Sequence, residues 1–148
     1  MNITTAYKLV PANGDLKQAV ITLLKENNLP VIDLDFGKYL FALLHNDTIV
    51  GTGGLEFFGD CALLRSVSVK KDLHGKGLGK LIITELEKIS GKKGINCLYL
   101  LTTTAKDFFI RVGYEEIERE SVPLSIKNTS EFSSLCPSSA TVMRKTSL

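Results

Sequence analysis

The chain is poor in the residues that build disulfide scaffolds and metal centres. Its 148 residues include three cysteines, Cys61, Cys97 and Cys136, and two histidines, His45 and His74. The cysteine count is odd, the spacing is wide and no C-x-x-C pair occurs. No zinc or dithiol signature can be written on that set, so no metal site is expected. Cys61 and Cys97 read as free thiols packing as small apolar residues. An excess of one charge is also missing: 18 Lys and Arg stand against 16 Asp and Glu, interspersed along the chain. That balance offers no electrostatic footprint for nucleic acid. No apolar run approaches the roughly 18 residues a membrane-spanning helix needs. The opening M-N-I-T-T-A-Y-K-L-V lacks the basic start and long apolar centre of a signal peptide. These absences predict a cytoplasmic protein with neither a nucleic-acid nor a membrane partner. Repeats, low-complexity tracts and linkers are absent too, which predicts one domain over residues 1–148.

What is present centres on Leu64 to Glu87, L-R-S-V-S-V-K-K-D-L-H-G-K-G-L-G-K followed by an apolar-periodic run. Val67 and Val69 have the β-branched character of a strand. Gly75, Gly77 and Gly79 alternate with Lys76 and Leu78. Leu78, Leu81, Ile82, Leu86 and Ile89 then recur at helical spacing, one stripe on one face. A glycine-rich turn entering a helix leaves backbone N–H groups unpaired and open to close approach by an anion. The helix dipole adds partial positive charge at the same point. Lys70, Lys71, Lys76 and Lys80 stand nearby in sequence. A Walker loop is absent, and the spacing from Gly75 is G-x-G-x-G rather than the dinucleotide fingerprint G-x-G-x-x-G.

Around this stretch the chain reads as follows. Strands are expected at Thr5 to Val10, Tyr39 to Leu44, Thr48 to Phe58 and Cys61 to Val69, with turns at Asn46-Asp47 and Gly59-Asp60. Interior glycines at 51, 53 and 54 suggest a bulge or a close backbone approach. Leu16 to Leu24 carries a helical stripe. Leu29 to Lys38 is either a short helix or an open loop. After the glycine-turn helix, Cys97 to Leu101 reads as a buried strand, parallel to the strand at Val67 because a helix crosses over between them. Thr103 or Thr104 is the expected cap of the next helix, and Gly113 its stop. Tyr114 to Arg119 is expected to be a strand, Ser121 to Pro137 to hold one or two short helices, and Thr141 to Thr146 to be the last strand. The pattern predicts an α+β fold, a mixed and mostly antiparallel sheet with helices on both faces.

The central stretch resembles the core motif of the GCN5-related N-acetyltransferases, [Q/R]-x-x-G-x-[G/A] after a strand. His74, Gly77 and Gly79 fall on the defining positions, with histidine in place of the usual Gln or Arg. A second family block is matched at Thr102, Ala105, Phe108, Phe109, Gly113 and Tyr114. The resemblance implies that family's fold, a sheet splayed between two parallel strands, and acetyl-CoA as co-substrate. It implies that the backbone of Val67, Ser68 and Val69 pairs with pantetheine. The pyrophosphate would sit on His74, Gly75, Lys76, Gly77, Leu78, Gly79 and Lys80, with Thr102 and Phe108 also facing the cofactor. Many members carry a tyrosine, the acid for the departing thiolate, where this chain has Phe109. Over the second half the chain also resembles the small acetyltransferases of bacterial arsenic-resistance operons and, more distantly, the N-acetylglutamate synthase acetyltransferase domain. The matching residues are Arg65, Thr102 to Thr104, Phe108, Phe109, Arg111 and Ser134 to Ala140. That implies a small, acidic, amino-acid-like amine as acceptor, and leaves room for a homodimer.

The proton balance follows from elementary chemistry. A thiol ionises near pKa ~8.5 and an alkyl ammonium near ~10, so the thiolate leaves tolerably and the amine must first be deprotonated. A general base therefore matters more than a general acid. Glu56, flanked by Leu55 and Phe57, is the candidate base. Arg65 offers a planar fork for an acceptor carboxylate. Thr103 and Cys136 complete the expected acceptor surroundings. The expected activity is acetyl transfer to a small primary amine by direct attack in a ternary complex. The alternative is a non-catalytic acyl-CoA-binding or sensing module.

Overall fold

The structure, a computed structural model, describes residues 7–29, 31, 39–129, 132, 139–146 and 148. Cys136 and most of the stretch Leu29 to Lys38 (residue 30 and residues 32–38) lie outside these residues. Seven strands form one mixed sheet: β1 (Tyr7–Pro11), β2 (Tyr39–His45), β3 (Thr48–Phe58), β4 (Cys61–Val69), β5 (Cys97–Thr102), β6 (Glu115–Glu116) and β7 (Thr141–Lys145), in the order β1-β2-β3-β4-β5-β7-β6. Among the described residues the α-helices are α1 (Leu16–Glu26), α2 (Leu78–Lys92), α3 (Lys106–Arg111) and α4 (Leu124–Lys127). The α+β expectation holds, and β4 pairs in parallel with β5 as the crossover rule requires.

The chain resolves into two compact units, one of Met1–Leu55 with Ser66–Glu87, the other of Glu56–Arg65 with Lys88–Leu148. In the first, β1, β2 and β3 form an antiparallel meander. The Asn46-Asp47 turn adopts φ 51° and 66°, the mirror-image turn geometry that matches strand twist. α1 covers one face of this meander, where Val20, Leu24, Leu40 and Ala42 are buried together. α2 covers the other face. Its buried stripe is Leu78, Ile82, Ile83 and Leu86, so Ile83 joins the expected set.

Gly51 and Gly53 explain how closely α2 approaches. A Cβ on Gly51 would stand 2.8 Å from Ile82 Cδ1 and 2.9 Å from the Ser68 carbonyl oxygen. A Cβ on Gly53 would meet Ile82 Cγ2 and Leu86 Cδ1, each at 2.8 Å. At Gly53 the obstacles are side chains that can turn; at Gly51 one of them is backbone. We therefore expect Gly51→Ala to destabilise by about 2–3 kcal/mol, the upper range of overpacking costs, and Gly53→Ala by less. Urea unfolding of the two variants against the parent checks this order.

In the second unit, Cys61, Leu63, Tyr99, Val122, Ile126, Phe132 and Val142 form one buried cluster. The expected strand at Tyr114 to Arg119 shrinks to Glu115–Glu116, which pairs only with β7 at the sheet edge. Four glutamates lie between positions 115 and 120, and charge is poorly suited to extending a strand. Arg144 takes Glu115 at 2.9 Å and Lys106 takes Glu116 at 2.7 Å, both at the surface. Gly113 ends α3 as expected, at φ 103°.

Candidate functional site

The glycine turn leads from β4 into α2. After β4, a short 3-10 turn over Lys71–Leu73 leads to His74. Gly75 and Gly77 then adopt φ 83° and 80°, backbone that L side chains rarely enter, and open space surrounds both where a Cβ would stand. The His74 amide bonds weakly to the Lys71 carbonyl at 3.4 Å. Among the described residues, none of the next six amides, Gly75 to Lys80, meets a backbone acceptor; the first to do so is Leu81, which bonds the Gly77 carbonyl at 3.1 Å. Six successive unspent donors at the mouth of a 15-residue helix form a cradle that suits a phosphate or pyrophosphate. Lys76 and Lys80 are exposed beside it.

His74 sits at the head of this turn and acts on the protein. Its Nε2 lies 2.8 Å from the Val69 carbonyl. A carbonyl only accepts, so Nε2 carries the proton and donates. Asn27 Nδ2 reaches the same carbonyl at 3.4 Å. The ring thus ties the turn to the end of β4, a role the motif did not announce. Val67 and Val69 are half-buried, and Ser68 is buried.

β4 carries an irregularity at Ser66, a buried serine at φ 59° inside a strand. Among the described residues, the other non-glycine residues at positive φ are Asn28, Asn46 and Asp47, all of types that tolerate it. A strained serine costs on the order of 1–3 kcal/mol and persists only where its surroundings hold it. Nothing in L-R-S-V-S-V marks it in advance. The parallel register of β4 with β5 covers three pairs, Cys61↔Cys97, Ala62↔Leu98 and Leu63↔Tyr99. β4 runs on to Val69 and β5 to Thr102 beyond the last of them.

In the second unit, Glu56 and Arg65 meet. Arg65 Nη1 donates to Glu56 Oε1 at 2.7 Å, with the arginine side chain 5% exposed and the glutamate 32%. The sequence treats them as separate candidates, a base and a carboxylate fork; the fold joins them in one ion pair. Glu56 is half-exposed, so seclusion from water is not what sets it apart.

Thr102 ends β5, and its hydroxyl accepts the Ala105 amide at 3.0 Å. The expected cap at Thr103 or Thr104 does not form; the threonine just before them takes the Ala105 amide. α3 starts from Ala105 without a side-chain cap, and Thr103 and Thr104 are exposed. Phe108 is half-buried and meets Phe109 edge-on at 5.1 Å, and Phe109 in turn meets Tyr114 edge-on at 5.7 Å. Phe109 is buried by this packing, and the ring has no hydroxyl to give a thiolate.

Cys61 is buried. Its thiol donates to the Phe58 carbonyl at 3.3 Å, and burial, then the nearby Cys97 and Asp60, push its pKa up. Burial also raises Tyr99, with the Cys97 hydrogen bond adding to it. Among the described residues no group of three His, Cys, Asp or Glu stands close enough to hold a metal. No helix of the described residues is long and apolar enough to cross a membrane.

Comparison with known proteins points the same way. Residues 37–116 match the acetyltransferase (GNAT) domain model, more than half of the chain. An uncharacterized N-acetyltransferase of Chlorobaculum tepidum is 31% identical over 87 residues, 58% of this chain and 56% of that one. An uncharacterized protein of Bacillus subtilis is 34% identical over 77 residues, 51% of this chain and 52% of that one. The chain thus spans about half the length of the curated relatives it matches. Among solved structures, N-acetylglutamate synthase from Neisseria gonorrhoeae, bound to coenzyme A and N-acetyl-glutamate, superimposes with TM-score 0.81 at 15% identity, over 94% of this chain and 34% of that one. A Staphylococcus aureus acetyltransferase of the GNAT family superimposes with TM-score 0.77 at 20% identity, over 95% and 98%. At these identities the structural likeness speaks for the fold.

Proposed function

We propose, for a chain that belongs to the GNAT acetyltransferase domain family, that it moves an acetyl group from acetyl-CoA to the primary amine of a small, acidic, amino-acid-like acceptor. The observation that carries this reading is the run of six unspent amides from Gly75 to Lys80 at the head of α2. That run fits the pyrophosphate of coenzyme A, and Gly75 and Gly77 hold it open. The pantetheine arm would follow the backbone of Val67, Ser68 and Val69, past the last residue that β4 pairs with β5.

Glu56 and Arg65 support the acceptor class. An α-amino acid carries an ammonium and a carboxylate, and this ion pair offers the complement of each. In binding, the acceptor carboxylate takes the Arg65 fork and its ammonium takes Glu56. Glu56, directly or through water, removes one proton. The amine nitrogen then attacks the thioester carbon, a main-chain N–H of β4 steadies the oxygen as it gains charge, and the carbon–sulfur bond breaks. The products are the N-acetylated acceptor, coenzyme A as its thiol, and one proton. Phe109 leaves the thiolate to go unaided, which its pKa of about 8.5 permits. The buried, hydrogen-bonded Cys61 favours direct attack over an acetyl-enzyme route.

The synthase of similar fold was solved with an N-acetylated acidic amino acid, the product class proposed here. The resemblance of the second half to the arsenic-operon acetyltransferases belongs to the same proposal, together with a cytoplasmic location, a single domain and room for a homodimer. Thiol release from acetyl-CoA across a panel of amines tests it. Amino acids with an acidic side chain should turn over best, and their decarboxylated counterparts at least about tenfold less well, the worth of one lost charged contact. Equal rates with and without the carboxylate would remove the acidic acceptor. The second reading, an acyl-CoA sensor, draws on the missing hydroxyl at Phe109 and would be selected by tight acetyl-CoA binding with no turnover on any amine.

A further inference from the structure

Thr52 lies in the middle of β3 between Gly51 and Gly53, and it is wholly buried. Its hydroxyl donates to the Ser66 carbonyl at 2.6 Å and lies 2.7 Å from Ser68 Oγ. A hydroxyl has one proton to give. Thr52 gives its proton to Ser66, whose carbonyl can only accept, so the second contact runs the other way: Ser68 donates to Thr52. The result is a directed relay, Ser68 to Thr52 to Ser66, closed off from water. It ends on the one residue of β4 at positive φ.

That conformation has a consequence for the strand. A left-handed residue locally disrupts the alternation of donors and acceptors and re-aims the peptide planes next to it. The planes that follow Ser66 are those of Val67, Ser68 and Val69, the amides assigned above to the thioester and the pantetheine arm. We infer that Thr52 is a positioning residue for acetyl transfer: its hydroxyl holds Ser66 left-handed and so aims a β4 amide at the thioester oxygen. It touches no substrate. Valine at this site keeps the shape and loses the relay; serine keeps the hydroxyl and loses a methyl. The inference rests on the acetyl-CoA reading, so its test includes a signal that separates the two.

The experiment compares the parent with Thr52→Val, Thr52→Ser, Ser66→Gly and the double variant Thr52→Val/Ser66→Gly. Acetyl-CoA labelled with carbon-13 at the carbonyl is bound to each, and its carbonyl stretch is recorded by infrared difference spectroscopy beside steady-state kinetics on the best amine. In the parent the band should move to lower frequency than in water. In Thr52→Val the shift should shrink towards the solution value and kcat should fall about 30-fold, in the range of a misaimed oxyanion donor, with the acetyl-CoA KM changed less than threefold. Thr52→Ser should stay within threefold of the parent. The double variant, in which glycine takes the left-handed conformation without strain, should recover most of the lost kcat and lie close to Ser66→Gly, a comparison that stands even if Thr52→Val fails to fold. A band and kcat unchanged by Thr52→Val, or a loss that persists in full when Thr52→Val is placed on the glycine background, overturn the inference and leave the acetyltransferase reading standing. So does a Thr52→Ser as impaired as Thr52→Val, because packing would then explain both. A parent band that does not move on binding overturns the polarising amide itself.

Discussion

Gly77→Val should lower the affinity for acetyl-CoA by about 100-fold or more while the fold survives. Gly77 stands at φ 80°, and a Cβ there would meet nothing within 4 Å. The Cβ therefore meets no atom of the free protein. What it brings is conformational strain, about 1–2 kcal/mol for an L residue in left-handed backbone, which shifts a domain of this size by only a few degrees in thermal midpoint. Relief of that strain re-aims the neighbouring amides. Each charge-assisted bond from an amide to phosphate is worth about 1.5–3 kcal/mol, so losing two of the six would reach the stated factor. The new side chain would also project into the space a pyrophosphate needs. Gly75→Val, at φ 83° and in equally open surroundings, should behave alike. Isothermal calorimetry with coenzyme A, set beside a thermal melt, separates affinity from stability. If Gly77→Val binds coenzyme A within threefold of the parent, the cradle lies elsewhere.

His74 illustrates how far the sequence can be read and where it stops. The motif places it beside the phosphate cradle, and the turn does form there; the ring, however, turns back to the Val69 carbonyl. β3 and β4 were legible to their ends because Asn46-Asp47 and Gly59-Asp60 are strong turn signals between β-branched runs. The short β6 was not legible in its length: Tyr114 and Ile117 read as strand residues, and the glutamates between and after them keep the pairing with β7 to Glu115–Glu116. Thr102 was expected to face the cofactor; its hydroxyl also takes the Ala105 amide, a local role the motif does not show. The two features on which the proposed chemistry rests lay out of sight for different reasons. The Ser66 conformation leaves no compositional trace, because serine is not a residue that seeks left-handed backbone. The Glu56–Arg65 pair did leave one. A two-residue turn at Gly59-Asp60 sets Glu56 opposite Leu63, which makes Arg65 a diagonal neighbour on the same face, a spacing at which long side chains meet.

That pair sets the second large effect. Glu56→Gln should lower kcat about 100-fold at pH 7, the scale of a positioned base, and the deficit should close as pH rises. The reason is the acceptor amine, whose ordinary pKa is near 10. Without a base, the reactive amine must arise by ionisation in solution, and its fraction grows tenfold per pH unit below that pKa. The variant's rate should therefore climb with unit slope where the parent's is flatter. Glutamine keeps an oxygen where Arg65 Nη1 now donates at 2.7 Å, so the arginine is not left as a bare buried charge and the melt should move little. Arg65→Ala makes the complementary change: the acceptor KM should rise about 30-fold or more through the lost charged contact, with acetyl-CoA affinity within twofold. Arg65→Lys should recover only part of this, because an ammonium cannot present the planar fork. The double variant should be less impaired than the product of the two single effects, since each group orients the other. A Glu56→Gln profile running parallel to the parent's at every pH would clear Glu56 of the role. Equal losses on both substrates in Arg65→Ala would reduce the ion pair to a strut between neighbouring strands.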